Sequence, residues 1–225
     1  MRGGRPARAR AGLPALAALV LAGGVLAAHA QPRRPPEEAI LAVEEYDGAE
    51  ARALAEAHGP GLRRLYDDVR RCAPEIDFHR PGIGFRKPRG RPGGVPHLTL
   101  WVLVDPDQAP PGGDLGARAA ETFRRYGRRL LPRLVARAAE RADVPVEGYG
   151  LVLTWIGPTP IGGRPVGETL VLFADRPTAA EFVEGTIAAA TFLARADVRV
   201  FDGEAEASPA TLVLEAAAGA PAPGC

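Results

Sequence analysis

The sequence predicts an α+β domain with a ferredoxin-like βαββαβ core: a four-stranded antiparallel sheet, two helices on one face, and an N-terminal helical extension. Three observations predict it. Four short β-branched and aliphatic runs fall between His97 and Phe201. Two amphipathic helical patterns separate the first from the second and the third from the fourth. The second and third runs are joined by an eleven-residue Pro/Gly loop, Gly157–Gly167.

The chain opens with Arg2, Arg5, Arg8 and Arg10, continues through an apolar run from Ala11 to Leu26, and reaches Ala28-His29-Ala30. This is the pattern of a Sec-type signal peptide over residues 1–30: a cationic start, a short apolar centre and small residues at the cleavage site. The apolar run is shorter than the roughly 20 residues a membrane span needs. A periplasmic or extracellular protein with no stable span after cleavage is therefore expected. Cleavage removes four positive charges and turns the formal charge of +1 into about −3, which argues against a nucleic-acid partner.

Residues 31–96 read as a Pro-rich linker, two short helices and a Gly/Pro/Arg-rich excursion. The first helical stretch is Glu37–Ala57, interrupted near Asp47 and Gly48, and Gly59-Pro60-Gly61 ends it. The second is Leu62–Cys72, striped by Leu62, Leu65, Tyr66 and Val69 and stopped by Pro74. Ile76–Val95 reads as an irregular or hairpin-like surface excursion.

Residues 97–203 form the expected core. His97–Val104 is a strand with Leu98, Leu100, Val102 and Val104 on one side. Asp114 is placed to cap a long helix from Leu115 to Ala142, with a kink expected near Leu131 from Pro132. Tyr149–Ile156 and Glu168–Ala174 follow as strands. Asp175, Pro177 and the Thr178/Glu181 pair open the next helix, striped by Ala179, Phe182, Thr186, Ala190 and Leu193. Val198–Phe201 is the last core strand. Residues 204–225 are a low-complexity Ala/Pro tail in which Thr211–Leu214 alone is strand-like.

The composition is rich in arginine, with Lys87 the sole lysine, Ser208 the sole serine and no asparagine. Ser208 precedes Pro209 in the tail and lacks the GxSxG setting of a serine nucleophile. The histidines His58, His79 and His97 follow no metal-ligand spacing, so no metal or cofactor is expected. Glu168 and Asp175 stand at opposite ends of one strand, about 20 Å apart at the usual rise, too far for a catalytic pair.

The surviving candidates concern binding. Arg125, Arg128, Arg129 and Arg133, with Arg118, fall opposite the Phe123/Leu130/Leu134 stripe and are expected to form a basic ridge. Arg86, Lys87 and Arg89 form a second basic cluster in the excursion. Either cluster suits an anionic envelope component. Trp101 and Trp155 on neighbouring strands are candidates for an aromatic platform, but strand aromatics usually serve core or interface packing, which is the favoured reading. The sheet face carrying Trp101 and Leu103 needs a cover, from the N-terminal helices or a second copy of the chain. Cys72 and Cys225 are possible disulfide partners after export.

The functional expectation is an exported, non-catalytic binding or assembly module. The alternatives are an envelope hydrolase built on His79 and His97, and an electrostatic adhesin using the arginine ridge.

Overall fold

In the computed structural model, the residues described are 33–88, 96–105, 109–110, 112–139, 146–158, 166–203 and 205–206. The signal-peptide reading, Arg89 and the Thr211–Leu214 run lie outside them. The described chain is α+β, built on one mixed sheet whose strands are β1 (Ile76–Arg86), β2 (His97–Val104), β3 (Gly148–Ile156), β4 (Gly167–Asp175), β5 (Asp197–Asp202) and the two-residue β6 (Ala205–Glu206). No helix among the described residues is long and apolar enough to cross a membrane.

Spatial order follows chain order, β1 to β6. All neighbouring pairs are antiparallel except β2 and β3, which run parallel. The four expected strands form, but the interleaved ferredoxin-like order does not. In that order the first core strand is flanked by the third and fourth. Here β2 has β1 on one side and β3 on the other, so the excursion occupies the position an interleaved strand would need.

The excursion became a strand because it alternates, with a slip. Ile76 and Phe78 face the core, as do Ile83 and Phe85, but five positions separate Phe78 from Ile83. That odd interval breaks a period of two and hides the strand. The structure absorbs it in a bulge: Phe78 pairs with Val102 and Ile83 with Leu100. Gly82 is needed there, because a Cβ would stand 2.5 Å from the carbonyl oxygen of Trp101. The Arg80–Pro81 peptide bond within the bulge is cis.

Helix α2 (Ala49–Cys72) is continuous through Pro60, where two helices were expected. Its buried residues Leu54, Ala55, His58, Leu62, Leu65, Val69 and Cys72 recur every three or four positions without a phase break. His58 takes part in this stripe, its ring centroid 5.6 Å from that of Phe85. Pro60 is exposed, so the carbonyl it leaves without a helical partner faces solvent.

Asp114 caps α3 (Leu115–Thr122) by accepting the Ala117 N–H at 2.8 Å. The chain then passes through a wider π-helical turn, Phe123–Gly127, into α4 (Arg128–Ala139). The irregularity thus lies before the expected kink. Helix α4 itself continues through Pro132. Asp175 caps α5 (Arg176–Val183) through the Thr178 N–H at 2.8 Å. The stripe drawn through Leu193 is split, because Gly185 takes a φ of 77° and α6 (Ala189–Arg195) starts afresh.

Leu98, Leu100 and Val102 of β2, Leu151 and Leu153 of β3, and Leu170 and Leu172 of β4 meet α2, α4, α5 and α6 in one core. Helix α2 packs against α4 and β1 in this layer. It therefore does not cover the opposite face, as the N-terminal helices had been expected to do. A short helix, α1 (Pro36–Ala39), leads into the β1 edge, where the Leu41 N–H donates to the Ile83 carbonyl at 2.9 Å.

Candidate functional site

The face of the sheet away from the helices carries Thr99 and Trp101 of β2, Val152 and Thr154 of β3, Thr169, Val171 and Phe173 of β4, and Asp197, Arg199 and Phe201 of β5. Most of these side chains are half-buried, although no described helix lies over them. All of these except Thr154 floor a groove of about 1470 Å³. Tyr46 and the chain beside it form one wall, with Pro81, Arg86 and Lys87 at the rim.

A polar thread runs through this floor. The indole N–H of Trp101 donates to Thr154 Oγ1 at 3.0 Å, and Thr154 and Thr169 share a hydrogen bond at 3.1 Å. His79, from the β1 bulge, lies flat on Trp101 with ring centroids 3.6 Å apart and planes 7° from parallel. One face of the indole is therefore occupied within the fold. Burial lowers the His79 pKa below its ordinary value, outweighing the raising influence of the Pro81 backbone, and the nearby Arg34 and Arg86 cations lower it further. The imidazole is thus biased toward its neutral form.

His79 and His97 do not share a site. His97 is buried and meets the Phe173 ring edge-on at 5.5 Å. His79 lies over Trp101, four residues further along β2, which is about 13 Å at the usual strand rise. Among the described residues there is no group of three or more His, Cys, Asp or Glu placed to hold a metal ion.

Trp101 and Trp155 do not form a common platform. The register that sets Trp101 beside Val152 puts Trp155 on the other face, 1% exposed. There its indole N–H donates to Glu168 Oε2 at 2.6 Å. The same carboxylate takes a two-pronged contact from Arg118, whose Nε lies 2.8 Å from Oε2. Arg118 is accordingly buried, not part of a solvent ridge. Sequence spacing gave no sign of this cluster, whose members come from α3, β3 and β4.

The remaining basic candidates are engaged within the fold. Arg125 pairs with Glu121 at 3.4 Å, and Arg129 pairs with Glu75 while its guanidinium lies 5.4 Å from the Tyr126 ring centroid. Arg128 and Arg133 are half-buried and also have interaction partners. Arg86 donates to the Pro81 carbonyl at 3.0 Å, and Lys87 approaches Glu50 at 3.9 Å. Acidic residues thus accompany much of both clusters. Cys72, at the end of α2, is 8% exposed and disulfide-bonded.

No family model, curated protein or solved structure matches the chain.

Proposed function

We propose that this protein is an exported binding module that holds an extended, weakly charged polypeptide segment in the groove of its open sheet face. The groove is the observation that carries the reading. Its volume of about 1470 Å³ exceeds the roughly 300–1,000 Å³ typical of small-molecule clefts, which favours a stretch of polymer over a metabolite. Val152, Val171, Phe173 and Phe201 offer apolar contacts along the floor, while Thr99, Thr169 and Arg199 supply polar ones. A glycan is favoured less, because His79 already covers one face of the floor tryptophan. Export rests on the pattern of residues 1–30 and places the module in the cell envelope or outside the cell.

The test uses the exported chain, expected to begin at Gln31, against an array of extended apolar peptides. Tryptophan fluorescence reads binding at Trp101. Val171→Glu puts a carboxylate on the floor and is expected to weaken binding by about tenfold or more, equivalent to about 1.4 kcal/mol. Unaltered peptide binding by a folded Val171→Glu chain, or a chain retained in the cytosol with residues 1–30 attached, removes the corresponding half of the proposal. A second copy is the competing occupant, and concentration-dependent mass in sedimentation reveals it.

A further inference from the structure

We propose that the groove captures the free carboxyl terminus of its polypeptide partner, with Arg86 and Tyr46 as the residues that bind the terminal carboxylate. This deepens the binding reading above and rests on it. Two observations carry it: the end of the groove at β1 is sealed, and unused hydrogen-bond donors stand against that seal.

The chain from Ile40 to Glu50 runs along the outer edge of β1 and is tied to it three times. The Leu41 N–H donates to the Ile83 carbonyl at 2.9 Å, the Phe85 N–H donates to the Tyr46 hydroxyl at 3.2 Å, and Glu50 lies 3.9 Å from Lys87. Residues 45–51 line the groove along this edge, so an extended chain crossing the floor toward β1 meets a wall. At the other end Phe201 and Gly203 line the groove, and among the described residues only the two-residue β6 lies beyond β5. A partner thus enters over β5 and stops at β1, which calls for a chain end.

Arg86 decides which chain end. Three cations line the groove, and two have a carboxylate within the fold: Lys87 has Glu50, and Arg199 lies 3.1 Å from Asp197. Arg86 has no such partner among the described residues. Its Nη2 donates to the Pro81 carbonyl, and its Nε is buried without a hydrogen-bond partner. The guanidinium is therefore anchored at one nitrogen while its other donors stay available to a carboxylate.

Tyr46 adds a second donor. It is 3% exposed, its hydroxyl accepts from Phe85, and its own proton finds no acceptor among the described residues. Burial holds the Tyr46 pKa above its ordinary value, against the Phe85 hydrogen bond and the nearby Arg86 charge, so the phenol keeps its proton at neutral pH. Gly84 makes room for it, because a Cβ there would stand 2.7 Å from the hydroxyl oxygen. Glu45 and Asp47 flank Tyr46, but both are exposed, and water screens their charge. An amino terminus meets the wrong sign at Arg86, and an apolar internal segment leaves both donors bare.

The floor from β5 to β1 spans four inter-strand spacings, about 19 Å, or about six extended residues. The probe is an N-acetylated hexapeptide of alternating threonine and valine, made with a free carboxyl terminus, with a terminal amide, and as an amide carrying one internal aspartate. Trp101 fluorescence reads binding to the exported chain. The acid is expected to bind about tenfold or more tighter than either amide. The preference should shrink to about twofold in Arg86→Gln, survive in part in Arg86→Lys, and fall about threefold in Tyr46→Phe. Comparing acid with amide in the parent chain needs no variant and stays decisive if a substitution unfolds. Equal binding of acid and amide, or an undiminished preference in folded Arg86→Gln, overturns the proposal and leaves the peptide groove standing. Acid-like affinity of the aspartate amide overturns it too, by showing that any carboxylate suffices. Acid binding that ignores Val171→Glu keeps the carboxylate site and removes the floor reading, and no binding by any of the three peptides removes both.

Discussion

Replacing Glu168 by alanine is expected to be among the most destabilising single changes in this protein. The side chains of Arg118 and Glu168 are 10% and 4% exposed, and Glu168 also accepts the Trp155 indole N–H. Glu168→Ala strands a guanidinium and an indole donor in the core. Breaking one side of a buried ion pair costs about 3–5 kcal/mol. At about 2–4 °C per kcal/mol for a chain of this size, the melting temperature should fall by about 6–20 °C. Two companions separate the causes. Glu168→Gln keeps an acceptor for Trp155 and should lose less. The double change Arg118→Met with Glu168→Leu removes both charges and should recover much of the loss, leaving chiefly the Trp155 donor unsatisfied. Urea unfolding of the four proteins gives the comparison. If Glu168→Ala loses under about 1 kcal/mol, or the double change is worse than Glu168→Ala alone, the reasoning about uncompensated burial is wrong.

Pro60→Ala should stabilise the chain by about 2 kcal/mol, because proline within a helix costs about 3 kcal/mol and its stiffening of the unfolded chain returns less than that. A lower urea midpoint for this variant would show that α2 depends on its proline. His79 gives a pH signature whose sign follows from its lowered folded-state pKa. The unfolded imidazole takes up a proton at higher pH than the folded one, so stability is fully present above the unfolded pKa near 6.5 and declines as pH falls from there through the folded pKa. Urea midpoints measured from about pH 7 to pH 5 should therefore fall less steeply in His79→Gln than in the parent, and equal slopes refute the assignment.

The features legible in the sequence were those written in consecutive residues. Strands β2 to β5 followed from short runs dominated by apolar and β-branched residues, and Asp114 and Asp175 were recognisable caps because a cap acts within three residues. Strand β1 was not legible, since its two apolar pairs are out of phase until a bulge restores them. Helix α2 was divided because Gly59-Pro60-Gly61 reads as a break, whereas its buried stripe runs through that point by way of His58. The groove was foreseen only as an uncovered face. Its floor draws one to three residues from each of four strands, so its composition depends on a strand order that local patterns do not encode. The Arg118–Glu168–Trp155 cluster was invisible for the same reason, with Arg118 and Glu168 fifty positions apart.

A sheet whose spatial order repeats its chain order also has a simple assembly history. Each new strand finds its partner already present when the chain emerges N-terminus first, because that partner preceded it. Only the step from β2 to β3 closes a long loop, and the entropy of that closure grows slowly with length. The sheet can therefore extend from one end like a closing zipper, with β1 as its first tooth and β5 among its last. An interleaved sheet of the same strands must wait for its final strand before its first one is flanked on both sides. Such nearest-neighbour growth keeps each exposed strand edge short-lived during synthesis, which limits the time available for mispairing between chains.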